Sequence, residues 1–247
     1  MRSAGTVRDT PSVLLTSTAI AVLGMNVLAV ALVLGRAVLF HTRLYRPMLL
    51  NVGLSVAPLV LLTVGTVGIL LLVAVGVAVP VLLVLTVVLA LLWLLLLPNA
   101  GYLITELNLS HRRDDDPVPE GYDVLLVLCL AMSGVLNTLV NVFLVQLVYV
   151  AIRYDDVHRL RGGDLLAVVG LVLVLVSFGI YLGRNVRVNS WDVARPWRLV
   201  GRVVAHLREP GRARAAVGFT VVAAAFFALM YLAVVGPIID TLVATSS

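Results

Sequence analysis

The chain has 247 residues, of which 61% are hydrophobic and 13% are charged, whereas ordinary soluble domains are about 45–50% apolar and about 25% charged. Its mean hydropathy is +1.09, and uncharged apolar runs recur along the whole length. This composition excludes a soluble, disordered, fibrous or free nucleic-acid-binding protein and predicts an all-α polytopic membrane bundle. The net charge of +5 comes from a chain without lysine, which excludes Walker-type phosphate loops and Schiff-base catalysis.

The uncharged windows predict six membrane spans in a single transmembrane domain over residues 1–247. The longest window, Pro47 to Thr105, has 59 residues and would form a helix of about 88 Å, nearly three times the roughly 30 Å hydrocarbon core. We expect it to turn between Gly76 and Pro80, because proline lacks the backbone donor and glycine relaxes the preceding helix. The predicted spans are about 12–35, 49–73, 80–98, 123–150, 165–183 and 215–237.

The arginines are distributed unequally between the two sides of this arrangement. Six alternating spans place both termini, the short turn and the 151–164 loop on one side, which receives five arginines. The other side receives thirteen. The positive-inside rule therefore predicts that both termini lie outside the cell. The arginine-only, Ala/Val/Leu-rich composition is typical of a GC-rich bacterial genome. The expected location is the bacterial cytoplasmic membrane, with several passes.

An amphipathic helix is predicted between the fifth and sixth spans. On a helical wheel one arc is apolar and the opposite arc is basic: Trp197, Val200, Val203, Val204 and Leu207 against Arg198, Arg202 and His206. Such a helix would lie at the cytoplasmic interface, where each arginine near anionic lipid headgroups contributes about 1 kcal/mol. In the alternative interpretation, these arginines only fix the topology and anchor the helix.

A first polar cluster follows the third span. Pro98 is expected to distort or end that span, and with Gly101 it frees backbone groups that polar side chains or water must satisfy. Asn99, Tyr102 and Glu106 are the candidate binding residues, and Tyr102 and Glu106 would share a face if an α-helix resumes. An ordinary helix cap with an interfacial tyrosine and a solvated glutamate is the alternative.

A second polar cluster lies at the end of the fifth span. Arg184 and Arg187 are three residues apart and could hold one phosphate or carboxylate between them. The remaining candidates offer a turn, a cap, an interfacial ring or an acid–base group: Asn189, Ser190, Trp191 and Asp192. The alternative is that they only cap the amphipathic helix. Both clusters open onto the same predicted face, and this convergence is the main reason to propose a site there.

Asp123 begins the fourth span on that same face. It is expected either to stabilise the helix N-terminus or to pair with an arginine of the second cluster. Further along the span, Ser133, Asn137 and Asn141 recur every fourth residue. This stripe must face protein or water, and interhelical hydrogen bonding is the expected role. Lining a substrate path is the alternative.

Metal and cofactor chemistry finds no support in the motifs. The four histidines lie in separate loops without ligand spacing, and the single cysteine, Cys129, lies in an apolar stretch. The aspartate-rich run 114–116 is expected to be a solvated loop, because consecutive carboxylates point in different directions. No nucleotide, protease or hydrolase signature is present. We therefore expect no cofactor and no metal.

The two clusters resemble a bacterial membrane family described as domain of unknown function 1361. The resemblance covers about residues 93–197 and is carried by Leu97-Pro98-Asn99-Ala100-Gly101-Tyr102-Leu103-Ile104-Thr105-Glu106-Leu107, Tyr122-Asp123-Val124-Leu125-Leu126, Ser177-Phe178-Gly179-Ile180-Tyr181-Leu182-Gly183-Arg184 and Asn189-Ser190-Trp191-Asp192. Gly101 replaces the proline usual in the family, and Glu106 replaces an aspartate. The resemblance points at the same polar residues and implies no activity.

Taken together, these observations predict a cytoplasmic-face site that binds an anionic lipid headgroup or a small anionic solute. The arginines would hold the anion, and Glu106 or Asp192 would orient them or exchange protons. Three alternatives remain open: a small-solute transporter, a membrane-embedded lipid-modifying enzyme and a noncatalytic assembly partner. The enzyme is disfavoured because no nucleophile is identifiable. The expected partners are the bilayer and its anionic lipids, with no role for nucleic acid.

Overall fold

A computed structural model of the protein describes residues 10–44, 46–107, 117–154, 156–186 and 196–246. The described residues form helices and no strand: α1 (Thr10–Leu39), α2 (Arg46–Ala74), α3 (Val79–Tyr102), a 3-10 helix (Leu103–Leu107), α4 (Glu120–Arg153), a second 3-10 helix (Val157–Arg161), α5 (Gly163–Asn185), α6 (Pro196–Arg208), α7 (Arg212–Val234) and α8 (Gly236–Thr245). Six helical stretches are long and apolar enough to cross a membrane, with α7 and α8 counted as one. The predicted all-α membrane bundle is confirmed.

Side-chain contacts define the two ends of this bundle. Arg36 near the end of α1 contacts Asp123 at the start of α4, so these two helices are antiparallel. Tyr181 near the end of α5 contacts the carbonyl of Arg212 at the start of α7. The ends of α1, α3 and α5, the starts of α2, α4 and α7, and helix α6 therefore share one end, which we call the arginine-rich end.

The hairpin between α2 and α3 is short. Helix α2 ends at Ala74, and Gly76 has a φ of +78°, a left-handed conformation that glycine adopts without the steric cost of a side chain. Pro80 lies in the first turn of α3, where its missing donor costs nothing. The turn thus lies where these two residues predict it.

Helix α4 is the most enclosed of the long helices and packs against α1, α2, α3 and the first 3-10 helix. At Gly134 the backbone of the α3 end comes very close: a β-carbon there would lie 2.9 Å from the carbonyl oxygen of Ala100 and 2.9 Å from Cβ of Leu103. Only a residue without a side chain allows this approach. The end of α3, which carries the first polar cluster, is therefore pressed against the centre of the bundle.

The last apolar stretch is divided into two helices. Helix α7 ends at Val234, and α8 begins at Gly236, next to Pro237. Because proline cannot donate a backbone hydrogen bond, the helix breaks at this point. Helix α8 then packs against α1 and the second 3-10 helix, and buries Ile238, Ile239 and Val243. The predicted sixth span, 215–237, ends two residues into α8.

Candidate anion-binding site

The two predicted polar clusters meet because α3 and α5 run side by side in the same direction. Gly179 of α5 is so close to the Pro98 ring that no β-carbon fits between them. One turn further along, a β-carbon on Gly183 would contact the Tyr102 ring at 3.5 Å. The glycines of the second cluster therefore let the C-terminal ends of α3 and α5 converge at the arginine-rich end.

Pro98 does not end α3, contrary to one of the two outcomes expected for it. The helix continues through Pro98 to Tyr102 and then tightens into a 3-10 helix. Polar side chains donate to two backbone carbonyls of this stretch: Asn99 Nδ2 donates to Leu96 at 3.0 Å, and Ser55 Oγ donates to Ala100 at 2.9 Å. Polar groups in this stretch thus serve the backbone, as membrane burial requires.

Tyr102 and Glu106 were expected to share a face on the condition that an α-helix follows Tyr102, and this condition is not met. A 3-10 helix, rather than an α-helix, follows Tyr102, and in a 3-10 helix the residues that eclipse one another are three apart, not four. The side chain of Glu106 lies outside the described part of the structure. Tyr102 is half-buried, and its hydroxyl makes no hydrogen bond to any described residue.

Arg184 links the two clusters directly. Its Nη1 donates a 2.8 Å hydrogen bond to the carbonyl oxygen of Thr105 in the first 3-10 helix, and its side chain is exposed. A guanidinium has five N–H donors, so most of its donor capacity is unused by this bond. No carboxylate of the described residues forms an ion pair with Arg184.

A cavity of about 430 Å³ lies beside this contact, between the C-terminal halves of α3 and α5 and helix α6. Asn99 and Tyr102 are the polar side chains in its lining, and the other lining residues are leucine, valine, phenylalanine, proline and glycine. We call this cavity the α3–α5–α6 crevice. Two predicted site residues therefore line one crevice, and a third, Arg184, follows directly after its lining residue Gly183.

Helix α6 presents part of its predicted apolar arc to the crevice, through Val200, Val203 and Val204. Trp197, at the start of this arc, is 86% exposed. One residue departs from the wheel: His206, expected on the basic arc, faces the bundle, since its Nε2 lies 3.1 Å from the Tyr181 hydroxyl. This contact ties α6 to the end of α5.

Among the described residues, Asp123 pairs with an arginine of α1 and not with Arg184 of the second cluster. Its Oδ1 accepts a 2.8 Å hydrogen bond from Nε of Arg36 in α1, and its side chain is 8% exposed. Tyr122 strengthens the same junction by donating to the carbonyl of Leu32 at 2.8 Å. Because α1 and α4 are antiparallel, the end of α1 brings Arg36 next to Asp123. Arg184 lies on α5 and contacts the end of α3 instead. Asp123 also lies in the first turn of α4, as the capping interpretation expects.

Five of the predicted site residues belong to a segment that the structure does not describe. The residues that lie outside the described part of the structure are Arg187, Asn189, Ser190, Trp191 and Asp192. The aspartate-rich run 114–116 also lies outside it. Of the predicted site, the structure therefore brings together Asn99, Tyr102 and Arg184, and assigns Asp123 to a separate ion pair.

The two ends of the bundle differ in their charge balance. At the opposite end, Arg161 pairs with Asp240, and the Tyr154 hydroxyl donates to Asp164 at 2.8 Å, which raises the pKa of Tyr154. The described arginines of the arginine-rich end outnumber its acids: Arg36, Arg43, Arg46, Arg184, Arg198, Arg202, Arg208, Arg212 and Arg214 against Glu106, Glu120, Asp123 and Glu209. This end therefore carries the surplus positive charge.

The polar stripe of α4 is fully enclosed. Asn137 exchanges hydrogen bonds of 2.9 and 3.0 Å with Asn26 of α1, and its Nδ2 donates to Ser55 of α2 at 2.9 Å. Asn141 accepts from Nε1 of Trp93 in α3 at 2.9 Å. The stripe thus joins four helices, which supports interhelical bonding rather than a path. Asn26 and Ser55 were not predicted, although a lone polar residue in a long apolar span signals such a contact.

The described residues contain no group of three or more His, Cys, Asp or Glu side chains placed to hold a metal ion. The helices and the crevice at one end define a multi-pass helical membrane protein. Residues 50–231 match the family model described as "Protein of unknown function (DUF1361)", so the chain belongs to this family. The match extends beyond the resembling region 93–197 to include nearly all of α2 and most of α7. Searches of curated proteins and of solved structures found no match.

Proposed function

We propose that the protein binds an anionic group at the arginine-rich end, where Arg184 meets the end of α3. The observation that carries this proposal is the position of the Arg184 guanidinium. It is exposed, held by one hydrogen bond to the Thr105 carbonyl, and unpaired with any described carboxylate. Arginine in this state offers several aligned donors, which is the arrangement that phosphate and carboxylate groups select.

Two further features support an anion at this position. The Tyr102 hydroxyl, from the neighbouring helix end, is a second donor without a described partner. The surplus of arginines over acids at this end adds a positive potential that attracts anions from solution or from a membrane surface. Arg187, Asn189, Ser190, Trp191 and Asp192 belong to the same segment of the chain and complete the proposed site as further candidates.

The location of the protein belongs to the same proposal. We place it in the bacterial cytoplasmic membrane, and the excess of arginines supports an orientation with the arginine-rich end facing the cytoplasm and both termini outside. A pair of reporters fused after Ser247 tests the orientation: alkaline phosphatase, active outside, is expected to be active, and green fluorescent protein is expected to be dark. The reverse result would invert the orientation and move the site to the outer face.

The binding proposal is tested by headgroup preference. We expect native mass spectrometry of the wild-type protein in a neutral detergent to show retention of phosphatidylglycerol over phosphatidylcholine with the same chains. Arg184→Gln should reduce that preference about five- to tenfold, the effect of one arginine near an anionic surface, and Arg184→Lys should keep part of it.

The control for this experiment is Arg153→Gln, which removes the same charge from the opposite end of the bundle. We expect it to leave the preference unchanged. Equal losses in Arg184→Gln and Arg153→Gln would mean that only net charge matters, and a wild type without headgroup preference would mean that the site does not bind anions. Either result would refute the proposal.

A further inference from the structure

The α3–α5–α6 crevice is too apolar for a site that receives only a small anion. Its volume, about 430 Å³, lies within the range of about 300–1,000 Å³ that ligand sites occupy. Asn99 and Tyr102 supply its polar side chains, both from the last two turns of α3, and the rest of the lining is hydrocarbon, backbone or glycine. An anion that lost its water inside this lining would find few donors, which is energetically costly.

The crevice extends from the end of the bundle into the membrane-spanning part. It is lined along α3 from Leu94 to Tyr102 and along α5 from Leu175 to Gly183. Each range has nine residues, and the eight helical steps between its ends correspond to about 12 Å, whereas half of the hydrocarbon core is about 15 Å. The polar residues Asn99 and Tyr102 line the end near Arg184, and the inner part is lined by Leu94, Leu95 and Leu175. The crevice is therefore graded from polar to apolar, as an amphiphile is.

Helix α6 forms the outer wall of the crevice without sealing it. Its backbone packs most closely against α7, and His206 attaches it to Tyr181. Its valines therefore stay incompletely covered: Val200 is 57% exposed and Val204 is 39% exposed. On its other side α6 carries arginines, including Arg198 and Arg202. A hydrocarbon chain in the crevice would cover the valines.

We propose that the crevice holds a hydrocarbon chain of an anionic lipid, whose headgroup is bound by Arg184 beside Tyr102. This inference rests on the proposed function, and it states that the ligand is a membrane lipid rather than a free phosphate or carboxylate. The membrane supplies such a ligand at the mouth of the crevice. The surplus arginines of this end select a negative headgroup over a neutral one.

The test compares two ligands and two substitutions in the full-length protein in neutral detergent. The ligands are phosphatidylglycerol with long acyl chains and glycerol 3-phosphate, which carries the anionic group without a chain. Leu175→Trp places a ring in the crevice. Val174→Trp is the matched control, because Val174 is 43% exposed and Leu175 41% exposed, but only Leu175 lines the crevice. Binding is measured by native mass spectrometry across a ligand titration.

We expect the wild type and Val174→Trp to retain phosphatidylglycerol, and Leu175→Trp to bind it roughly tenfold more weakly, because the ring occupies the space of buried methylenes. Glycerol 3-phosphate should not be retained at the concentrations that saturate the lipid. A second pair in the surface helix α6, Val203→Trp with Ala205→Trp as its control, repeats the comparison if a ring in α5 impairs folding.

The outcomes separate this inference from the proposed function. Retention of glycerol 3-phosphate as tight as that of the lipid, and lost in Arg184→Gln, would overturn the lipid assignment and leave the anion site standing. Retention of neither ligand would overturn both. Equal lipid binding by Leu175→Trp and Val174→Trp, and by the α6 pair, would show that the chain does not occupy the crevice.

Discussion

Replacing Asp123 with alanine is expected to destabilise the protein by about 3 kcal/mol, because the largely buried guanidinium of Arg36 would lose the carboxylate that its Nε contacts. The pair is largely buried, with Asp123 8% exposed and Arg36 23% exposed, and it joins the end of α1 to the start of α4. The free energy of unfolding, measured by reversible denaturation in mixed micelles, would show this loss.

Asp240→Ala is the matched control for this prediction, since it removes the same carboxylate from an ion pair at the opposite end. Asp240 and its partner Arg161 are 63% and 55% exposed, so the expected loss is under about 1 kcal/mol. The double variant Arg36→Met/Asp123→Leu should recover most of the stability lost in Asp123→Ala, since both charges of this pair are replaced by apolar side chains of similar size. Equal losses in the two aspartate variants would contradict this account of the α1–α4 junction.

The second large effect is expected for Asn137→Leu. This change removes two hydrogen bonds to Asn26 and one to Ser55, and leaves their polar groups in an apolar interior. We expect a loss of about 2 kcal/mol, since interhelical hydrogen bonds in membranes contribute about 0.6 to 2 kcal/mol each. The same unfolding measurement detects it.

Asn185→Leu serves as the control for Asn137→Leu. Asn185 is exposed at the end of α5 and donates to the carbonyl of Tyr181 in its own helix, so its loss should cost a few tenths of a kcal/mol. If Asn137→Leu were as stable as the wild type but abolished solute flux in proteoliposomes, the polar stripe would be a transport path rather than a set of helix contacts.

The membrane-spanning helices were predictable because they follow from the hydropathy of continuous segments of the sequence. Long uncharged runs must be helical in a bilayer, and a run of 59 residues must turn, with Gly76 and Pro80 supplying the means. Local rules also predicted that α4 carries an inward polar stripe. They did not predict the break at Gly236-Pro237, because the hydropathy of α8 continues that of α7 without a gap.

The candidate site was predictable only in part because partners depend on packing. Proline and glycine near the end of α3 indicated polar compensation, and the convergence of the two clusters holds for Asn99, Tyr102 and Arg184. The pairing of Asp123 with Arg36 was not predicted, because the sequence does not tell which arginine lies nearest once α1 packs against α4. The crevice had no local signal, because one of its walls, α3, is far in the sequence from the other two, α5 and α6.

The most direct test of the central claim is photo-crosslinking with an anionic lipid that carries a photoreactive group in its acyl chain. The protein is reconstituted in neutral bilayers that contain a trace of this lipid. We predict that labelled peptides concentrate in α3, α5 and α6 around Leu95, Leu175 and Val203, and that Arg184→Gln lowers this labelling. Labelling spread evenly over the lipid-exposed faces of all helices, unchanged in Arg184→Gln, would contradict a lipid site at the arginine-rich end.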